Sequence, residues 1–265
     1  MKFKLPTTLA FLLIILSSQC YGQDFSCRVS QNKSRRQQIA QAKLPYNMVA
    51  YIKMTRNRTV FQGSACLIAP RVLLTAGHNL RLEDWGSHVN QLEAWLGATG
   101  QGQFSGYQVF ATVQNDNIFT LSSFNQEYTV NEDFAIAILP DSSLYKKVGQ
   151  CFQLSVCDSA FLRQINNQPV HITGYPYDQP EFTMWDDTTP NYYLNQWNNI
   201  TDDTYGVTRM SGSPVWIKQG DKYLVFAVHT QGSKNHKACS IATPISAKVY
   251  AQIVAWCKSK GVMIN

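Results

Sequence analysis

The sequence predicts an all-β fold that ends in one α-helix. Short runs rich in Val, Ile, Tyr and Phe alternate with turns rich in Gly, Asn, Asp and Pro, and this spacing is typical of a β-sandwich or barrel. Hydrophobic residues make up 45% of the 265 residues, enough for one large all-β unit or two small barrels that share a core. The predicted strands are MVAYIKM, ACLIAP, RVLLTA, YQVFATV, FAIAIL, PVHITGY, SPVWIK and YLVFAVHT.

The segment ISAKVYAQIVAWCKSKG near the C-terminus predicts the only long helix. Gly261 follows its last turn, where glycine commonly ends a helix. Its apolar face comprises Val249, Ile253, Val254 and Cys257. The stretch from Tyr175 to Tyr205 is rich in aromatic residues, Asp and Asn, and we interpret it as long loops around one or two strands.

Residues 1–22 have the pattern of a signal peptide. Lys2 and Lys4 precede an apolar run from Leu9 to Leu16, and Gly22 marks a candidate cleavage site. A membrane anchor needs about 20 apolar residues, and this run is far shorter. We therefore expect a secreted protein, extracellular or periplasmic, that has no membrane association once the signal is removed.

Residues 23–43 are polar, basic and Gln-rich, and we interpret them as a flexible leader or pro-segment before a domain of residues 44–265. Within the leader, the basic cluster from Lys33 to Arg36 favours a solvated segment or processing site over a contact with nucleic acid or anionic lipid. The net charge of +6 is mild, and no Gly-rich phosphate loop is present. We expect no nucleic-acid partner.

Six cysteines remain once the signal peptide is removed, and an even number in an exported chain predicts disulfide bonds. They are Cys27, Cys66, Cys151, Cys157, Cys239 and Cys257. Only Cys151 and Cys157 are close in sequence, so they form the one pair that we predict. No Cys-x-x-Cys spacing supports a zinc site instead.

Three separate motifs carry residues that are chemically complementary. His78 ends the strand-like VLLTAGHN, Asp133 precedes the apolar run in NEDFAIAIL, and Ser211 begins SGSPVW. A serine hydroxyl is a poor nucleophile unless a base takes its proton, and that base needs a carboxylate to fix its tautomer. The chain order His, Asp, Ser is the chymotrypsin order and differs from those of subtilisin and the α/β-hydrolases.

The chain resembles the chymotrypsin-fold serine proteases, on the bacterial glutamyl endopeptidase-like branch. The motifs GSACLIAPRVLLTAGHN, DFAIAIL, HITGYP, SGSPVW and VFAVHTQG fall in the family's order over roughly residues 44–259. The resemblance implies two six-stranded Greek-key β-barrels packed together, with the active site between them and a C-terminal helix. It implies a secreted serine endopeptidase, made as a zymogen, that acts on proteins or peptides. We expect a monomer without a cofactor or metal.

By this resemblance, His78 is the general base, Asp133 its orienting carboxylate and Ser211 the nucleophile. The backbone N–H groups of Arg209 and Ser211 would form the oxyanion hole. Relatives usually have Gly where Arg209 stands, because glycine readily aims its N–H at the developing charge. In many relatives an Asp that pairs with the new N-terminus takes the place of Met210.

The resemblance also assigns a pocket for the side chain before the scissile bond. His229 stands where glutamyl-specific relatives carry a carboxylate-binding histidine, Thr208 adds a hydroxyl, and Gly232 pairs with the substrate backbone. An imidazole that faces the pocket can donate a hydrogen bond to an acidic side chain. Preference for Glu is therefore a hypothesis.

Two other functions are consistent with parts of the sequence. A secreted homologue that has lost catalysis would bind its partner through the same cleft, and Arg209 favours this alternative. A structural β-sandwich adhesin would explain the fold and aromatic loops, but it would leave the three ordered motifs as coincidence. The intact His78, Asp133 and Ser211 favour an active enzyme.

Overall fold

A computed structural model of the protein describes residues 35–81, 89–100, 110–121, 123, 130–190, 192–194, 200–202, 210–232 and 240–264. These residues form two β-sheets and a C-terminal helix. The all-β prediction is confirmed. The predicted signal peptide lies outside the described residues. Within them, no helix has the length and apolar character needed to cross a bilayer.

Sixteen strands run through the described residues. They are β1 (Gln37–Ile39), β2 (Val49–Arg56), β3 (Thr59–Ala69), β4 (Val72–Thr75), β5 (Gln91–Leu96), β6 (Phe110–Gln114), β7 (Ile118–Thr120), β8 (Ala135–Ile138), β9 (Gln153–Leu154), β10 (Val170–Gly174), β11 (Met184–Thr189), β12 (Tyr192–Leu194), β13 (Ile200–Asp202), β14 (Pro214–Gln219), β15 (Lys222–Gly232) and β16 (Ser240–Pro244). The α-helices are α1 (Gly77–Leu80), α2 (Ser143–Val148), α3 (Ser159–Gln164) and α4 (Ala247–Ser259), and 3-10 turns lie at Tyr46–Met48, Asn115–Asn117 and Val130–Glu132.

The strands divide into an N-terminal and a C-terminal sheet. The first sheet has seven strands in the order β6-β5-β2-β3-β4-β8-β7. The second has nine: eight in the order β1-β11-β10-β14-β15-β16-β13-β12, with β9 pairing in parallel with β15. We predicted six strands per barrel, and each of the two sheets has more. The short strands β1 and β9, which the sequence did not reveal, account for part of the difference.

The first sheet shows two hydrophobic patterns, each with its own cause. β5 alternates between partly exposed and buried residues, because its Leu92, Ala94 and Leu96 face the core. All four residues of β4 and all four of β8 are buried, and the two strands pair with each other. The segments that carry His78 and Asp133 adjoin these two strands, so their positions are fixed by the best-buried part of the sheet.

The second sheet encloses a core of its own. Ile172, Val215 and Phe226 lie within it, on β10, β14 and β15. The long strand β15 pairs with β14 along one edge and β16 along the other. It therefore forms the centre of the sheet, close to the loop that precedes β14.

Helix α4 confirms the predicted C-terminal helix. The side chain of Ser246 caps its start by accepting a hydrogen bond from the Val249 N–H. Its end forms a Schellman motif, in which Val262 N donates to Cys257 O at 2.9 Å and Gly261 adopts a φ of +64°. Val249, Ile253 and Cys257 are buried, whereas Val254 is only partly so.

Three segments differ from the prediction. The supposedly flexible leader contributes β1, which pairs antiparallel with β11. The stretch from Tyr175 to Tyr205 contains β11, β12 and β13, not one or two strands. Two short helices were not predicted: α2 lies between β8 and β9, and α3 lies between β9 and β10. Strand pairing with distant residues decided the first two cases, and such pairing leaves little local pattern.

The predicted Cys151–Cys157 disulfide is wrong in this structure. Both residues are free thiols, as are Cys66 and Cys257. Cys151 packs against the large apolar core, which contains residues of both sheets, whereas Cys157 lies in the separate core of the second sheet. Between them the chain forms β9 rather than a tight turn, so the two side chains enter different cores. Cys27 and Cys239 lie outside the described residues.

Candidate active site

The imidazole of His78 is held by a buried carboxylate. His78 lies in α1, the single helical turn that follows β4. Its Nδ1 lies 2.7 Å from Asp133 Oδ2, and its backbone N–H donates to Asp133 Oδ1 at 2.8 Å. A carboxylate accepts only, so Nδ1 carries the proton and Nε2 is left with its lone pair. The neutral ring can therefore act as a base through Nε2.

Asp133 is completely buried, directly before β8. Burial of an ionised carboxylate is costly unless hydrogen bonds compensate for the lost water, and the two N–H groups of His78 do so. Gly77 makes room for this contact, since a Cβ there would lie 3.0 Å from Asp133 Oδ1 and 3.2 Å from the backbone N of Phe134. Gly77 and His78 of the Thr-Ala-Gly-His sequence thus form the binding site of the Asp133 carboxylate.

The peptide of Ser211 is anchored on the side of the first sheet. Its carbonyl oxygen accepts hydrogen bonds from Ser64 N and from Asn79 Nδ2, each at 2.9 Å. Because Asn79 directly follows His78, the residue that binds the Ser211 carbonyl is the chain neighbour of the proposed base. The hydroxyl of Ser211 donates to Thr230 O at 3.3 Å.

The following glycine fixes the loop from the other side. Gly212 N donates to His229 O at 2.8 Å, and its φ is +88°. A Cβ at this position would overlap the Ser64 carbonyl and the Thr75 hydroxyl. Only glycine meets both the conformational and the spatial requirement. The Ser-Gly-Ser-Pro motif is therefore required by the backbone as well as by chemistry.

His229 lies on β15 and is only 1% exposed. Its backbone N–H donates to Ser213 O, and its Nδ1 lies 2.8 Å from Ser240 Oγ. Burial, followed by the nearby charge of His78, lowers the pKa of His229 to about 4. The ring of His229 is therefore neutral at neutral pH.

The structure describes only part of the predicted pocket and oxyanion hole. Thr208 and Arg209 lie outside the described residues. Gly232 ends β15, is partly exposed and pairs with Ser240. Met210 is buried in the apolar core of the second sheet.

Sequence reasoning missed the residues that position the proposed triad. Asn79 and Ser64 bind the Ser211 carbonyl, and Thr75 connects them because its hydroxyl donates to Ser64 O at 2.7 Å and accepts from Asn79 Nδ2 at 2.9 Å. Asn79 stands within the quoted motif VLLTAGHN, next to His78, and that adjacency was the available signal. Within the described residues, no group of three His, Cys, Asp or Glu side chains is arranged to hold a metal ion.

Sequence comparison finds distant relatives among proteases. No protein-family profile matches the chain. The chain is 25% identical over 243 residues to a Bacillus subtilis protein named extracellular metalloprotease, covering 90% of this chain and 70% of that protein. It is also 25% identical over 214 residues to a Staphylococcus epidermidis glutamyl endopeptidase, covering 79% of this chain and 68% of the relative.

Solved structures share the fold. A Glu endopeptidase superposes with a TM-score of 0.70 at 18% identity, over 87% of this chain and 99% of the other. Protease Anisep from Arthrobacter nicotinovorans gives a TM-score of 0.67 at 13% identity, over 82% and 99%. The predicted chymotrypsin-like fold is confirmed. The chain thus has the fold of these solved proteases and is distantly similar in sequence to proteases, glutamyl endopeptidases among them.

Proposed function

We propose that the protein is a secreted serine endopeptidase that cleaves peptide bonds through an acyl-enzyme, with Ser211, His78 and Asp133 as its triad. The observation that carries this proposal is the buried Asp133 carboxylate, which accepts both the ring and the backbone N–H of His78. The Ser211 peptide is tied to the next residue, Asn79. These contacts support the order carboxylate, base and nucleophile that acyl transfer needs.

Acylation would begin when the Ser211 hydroxyl turns from Thr230 O toward Nε2 of His78, a rotation about one side-chain bond. Such hydrogen bonds commonly tighten only when substrate is bound. Oγ attacks the carbonyl carbon while Nε2 takes its proton, and Asp133 stabilises the imidazolium. The oxyanion would be held by the N–H groups of Ser211 and Arg209. The imidazolium then protonates the leaving amine, and water repeats the sequence to release the acid.

We propose an acidic preference before the scissile bond, with His229, Thr208 and Gly232 forming the pocket. Support comes from the His229 ring, whose Nδ1 is engaged by Ser240 Oγ at 2.8 Å. If the Ser240 hydroxyl donates to Nδ1, Nε2 carries a proton that can be donated to a substrate carboxylate. The low pKa keeps this donor neutral, so a Glu side chain would be bound by a hydrogen bond rather than by a full opposite charge.

Labelling with a fluorophosphonate tests the catalytic proposal. The purified secreted protein is treated with the reagent, and peptide mass mapping locates the adduct. We expect the adduct on Ser211, no adduct in Ser211→Ala, and an adduct that persists in Ser213→Ala, the matched change two residues away. Absence of an adduct in the wild type would support the alternative of a catalytically impaired binding protein, which the Ser211–Thr230 hydrogen bond favours.

A peptide panel tests the specificity. Peptides that differ only in the residue before the scissile bond are compared by kcat/KM. We expect a higher kcat/KM for the Glu peptide than for the Gln peptide. His229→Gln should lower kcat/KM for the Glu peptide more than for the Gln peptide, so that the ratio between them falls. Equal cleavage after Glu and Gln, or preference for Lys or Phe, would contradict the acidic pocket.

We propose that the protein is exported and processed. Residues 1–22 would act as the signal peptide, part of residues 23–43 would be removed as a leader, and residues 44–265, together with strand β1, would form the protease domain of a monomer. The name of the Bacillus subtilis relative, an extracellular protease, agrees with export. The substrate would be a protein or peptide.

A further inference from the structure

The end of the predicted leader is built into the second sheet. Gln37–Ile39 forms β1 and pairs antiparallel with β11, with Gln37 opposite Asp186. Ile39 also packs against the large apolar core. We refer to residues 36–39 as the clip. A segment with backbone pairing and a core contact is part of the folded domain rather than a solvated tether.

Arg36 makes the strongest polar contact of the clip. Its Nη1 and Nη2 lie 2.9 and 2.6 Å from the two carboxylate oxygens of Asp178, a bidentate arrangement. The Arg36 side chain is only 4% exposed, whereas that of Asp178 is 39% exposed. This burial overturns the interpretation of the basic cluster as solvated, at least for Arg36. The hydrogen bonds from Arg36 also lower the pKa of Asp178.

Asp178 belongs to a loop of the second sheet that makes contacts with the first sheet. This bridging loop, residues 175–183, runs from β10 to β11. At its start, Tyr175 N donates to Ser64 Oγ at 3.0 Å. Near its end, Glu181 accepts a hydrogen bond from the hydroxyl of Tyr51 at 2.7 Å. The ring of Phe182 lies 4.4 Å from that of Tyr51. The loop thus contacts the first sheet at both ends.

Two successive hydrogen bonds connect the same loop with the proposed nucleophile. Tyr175 holds the side chain of Ser64, and the backbone N–H of Ser64 holds the carbonyl of Ser211. Gly174, just before the loop, is so close to Ser213 and Ser64 that a Cβ would overlap the hydroxyl of Ser213. A shift of the bridging loop would therefore displace the peptide of Ser211, the proposed nucleophile.

We propose that Arg36 is a positioning residue for the active site: its pair with Asp178 anchors the bridging loop and, through Tyr175 and Ser64, fixes the peptide of Ser211. It follows that maturation removes the leader before Arg35 and leaves the clip in place. The pair Arg35–Arg36 is then a docking element, and cleavage within it inactivates the enzyme. This proposal rests on the proposed serine endopeptidase function.

The test uses the full-length exported protein and its variants Arg36→Gln, Arg36→Lys and Asp178→Asn. We expect Arg36→Gln to lower the rate of fluorophosphonate labelling and kcat/KM by about ten- to a hundredfold, as a small misplacement of a reacting group does. Arg36→Lys, which keeps the charge but loses the bidentate geometry, should recover part of the loss. Arg163→Gln, at an exposed arginine of α3, is the matched control and should change neither rate.

Asp178→Asn distinguishes a loss of positioning from a folding defect. Asp178 is partly exposed and the Asn side chain fits the same space, so this variant should fold. It should reproduce the loss while the melting temperature stays above the assay temperature. In the double variant Arg36→Gln/Asp178→Asn, the loss should be no larger than in either single variant, since both remove one interaction. Losses that multiply, or wild-type rates in folded Arg36→Gln and Asp178→Asn, would overturn the proposal.

N-terminal mass analysis of the active protein tests the maturation site. We expect the mature chain to begin at or before Arg35. A fully active product that begins after Arg36 would contradict the proposal. If wild-type protein is not labelled at all, the serine endopeptidase function fails instead, and that outcome is distinct from normal labelling in the Arg36 and Asp178 variants.

Discussion

The side-chain amide of Asn79 donates a hydrogen bond to the backbone carbonyl of Ser211 across 2.9 Å. Because Asn79 follows His78, one turn of α1 carries both the proposed base and an anchor for the nucleophile's peptide. Ser64 N binds the same carbonyl from β3. Two sequence segments that are more than 130 positions apart are thereby locked at hydrogen-bond distance.

Asn79→Ala should weaken both activity and stability. It removes a buried amide that serves Thr75 and Ser211, and a lost hydrogen bond of this kind costs about 1–2 kcal/mol. Labelling of Ser211 should slow about tenfold, which corresponds to about 1.4 kcal/mol. Urea unfolding and labelling kinetics measure the two effects. Asn166→Ala, at an exposed position after α3, is the control and should alter neither.

Gly212→Ala should prevent a functional loop from forming. Its φ of +88° disfavours a side chain, and the new methyl group would overlap the Ser64 carbonyl. Strain and overpacking together predict a loss of about 3–5 kcal/mol in the free energy of unfolding.

Gly220→Ala provides a matched control for that change. Gly220 has a φ of +62°, but no atom lies within 4 Å of its added Cβ. Only the conformational penalty of about 1–2 kcal/mol applies there. Equal destabilisation of the two variants, measured by denaturant unfolding, would mean that the overlap at Gly212 relaxes without cost.

Asp133→Asn should nearly abolish turnover while preserving the fold. The Asn oxygen can still accept from His78 N, but its amide donates to Nδ1 and shifts the ring proton to Nε2. The base would then lack a lone pair toward Ser211, a defect that lowers kcat by about 10⁴-fold in serine proteases. Asp141→Asn, at an exposed carboxylate, should retain wild-type kcat, as measured with a peptide substrate.

The buried imidazole of His229 should make stability depend on pH. Its pKa is lowered from 6.5 to about 4 by burial, so below pH 6.5 the unfolded chain binds the proton more readily than the folded one. Above about pH 6.5, this lowered pKa has no effect on the free energy of unfolding. As the pH falls from about 6.5 to about 4, the free energy of unfolding decreases progressively by about 3 kcal/mol.

Urea unfolding at pH 7 and pH 4 measures this effect by comparing the wild type with His229→Gln. The variant should lose less stability over this interval, because Gln does not titrate. A loss equal to that of the wild type would mean that His229 does not take up a proton on unfolding.

The sequence was most informative where a local pattern and a chemical requirement coincide. The apolar runs of β4 and β8 predicted strands because both are buried throughout, and Gly261 marked the end of α4. Strand β5 was not predicted, although its residues alternate and Leu92, Ala94 and Leu96 are buried. Strand β1 had no such signal, because Gln37 and Gln38 are polar and are held by backbone pairing with β11.

Taken alone, the sequence determined the class of fold and the candidate triad, because hydrophobic period, residue chemistry and motif order are local properties. Tertiary structure decided which groups meet: that Asp133 accepts two hydrogen bonds from His78, that Cys151 and Cys157 enter separate cores, and that Arg36 is buried against Asp178. Such contacts depend on the pairing of distant strands, which the sequence of either strand does not encode by itself.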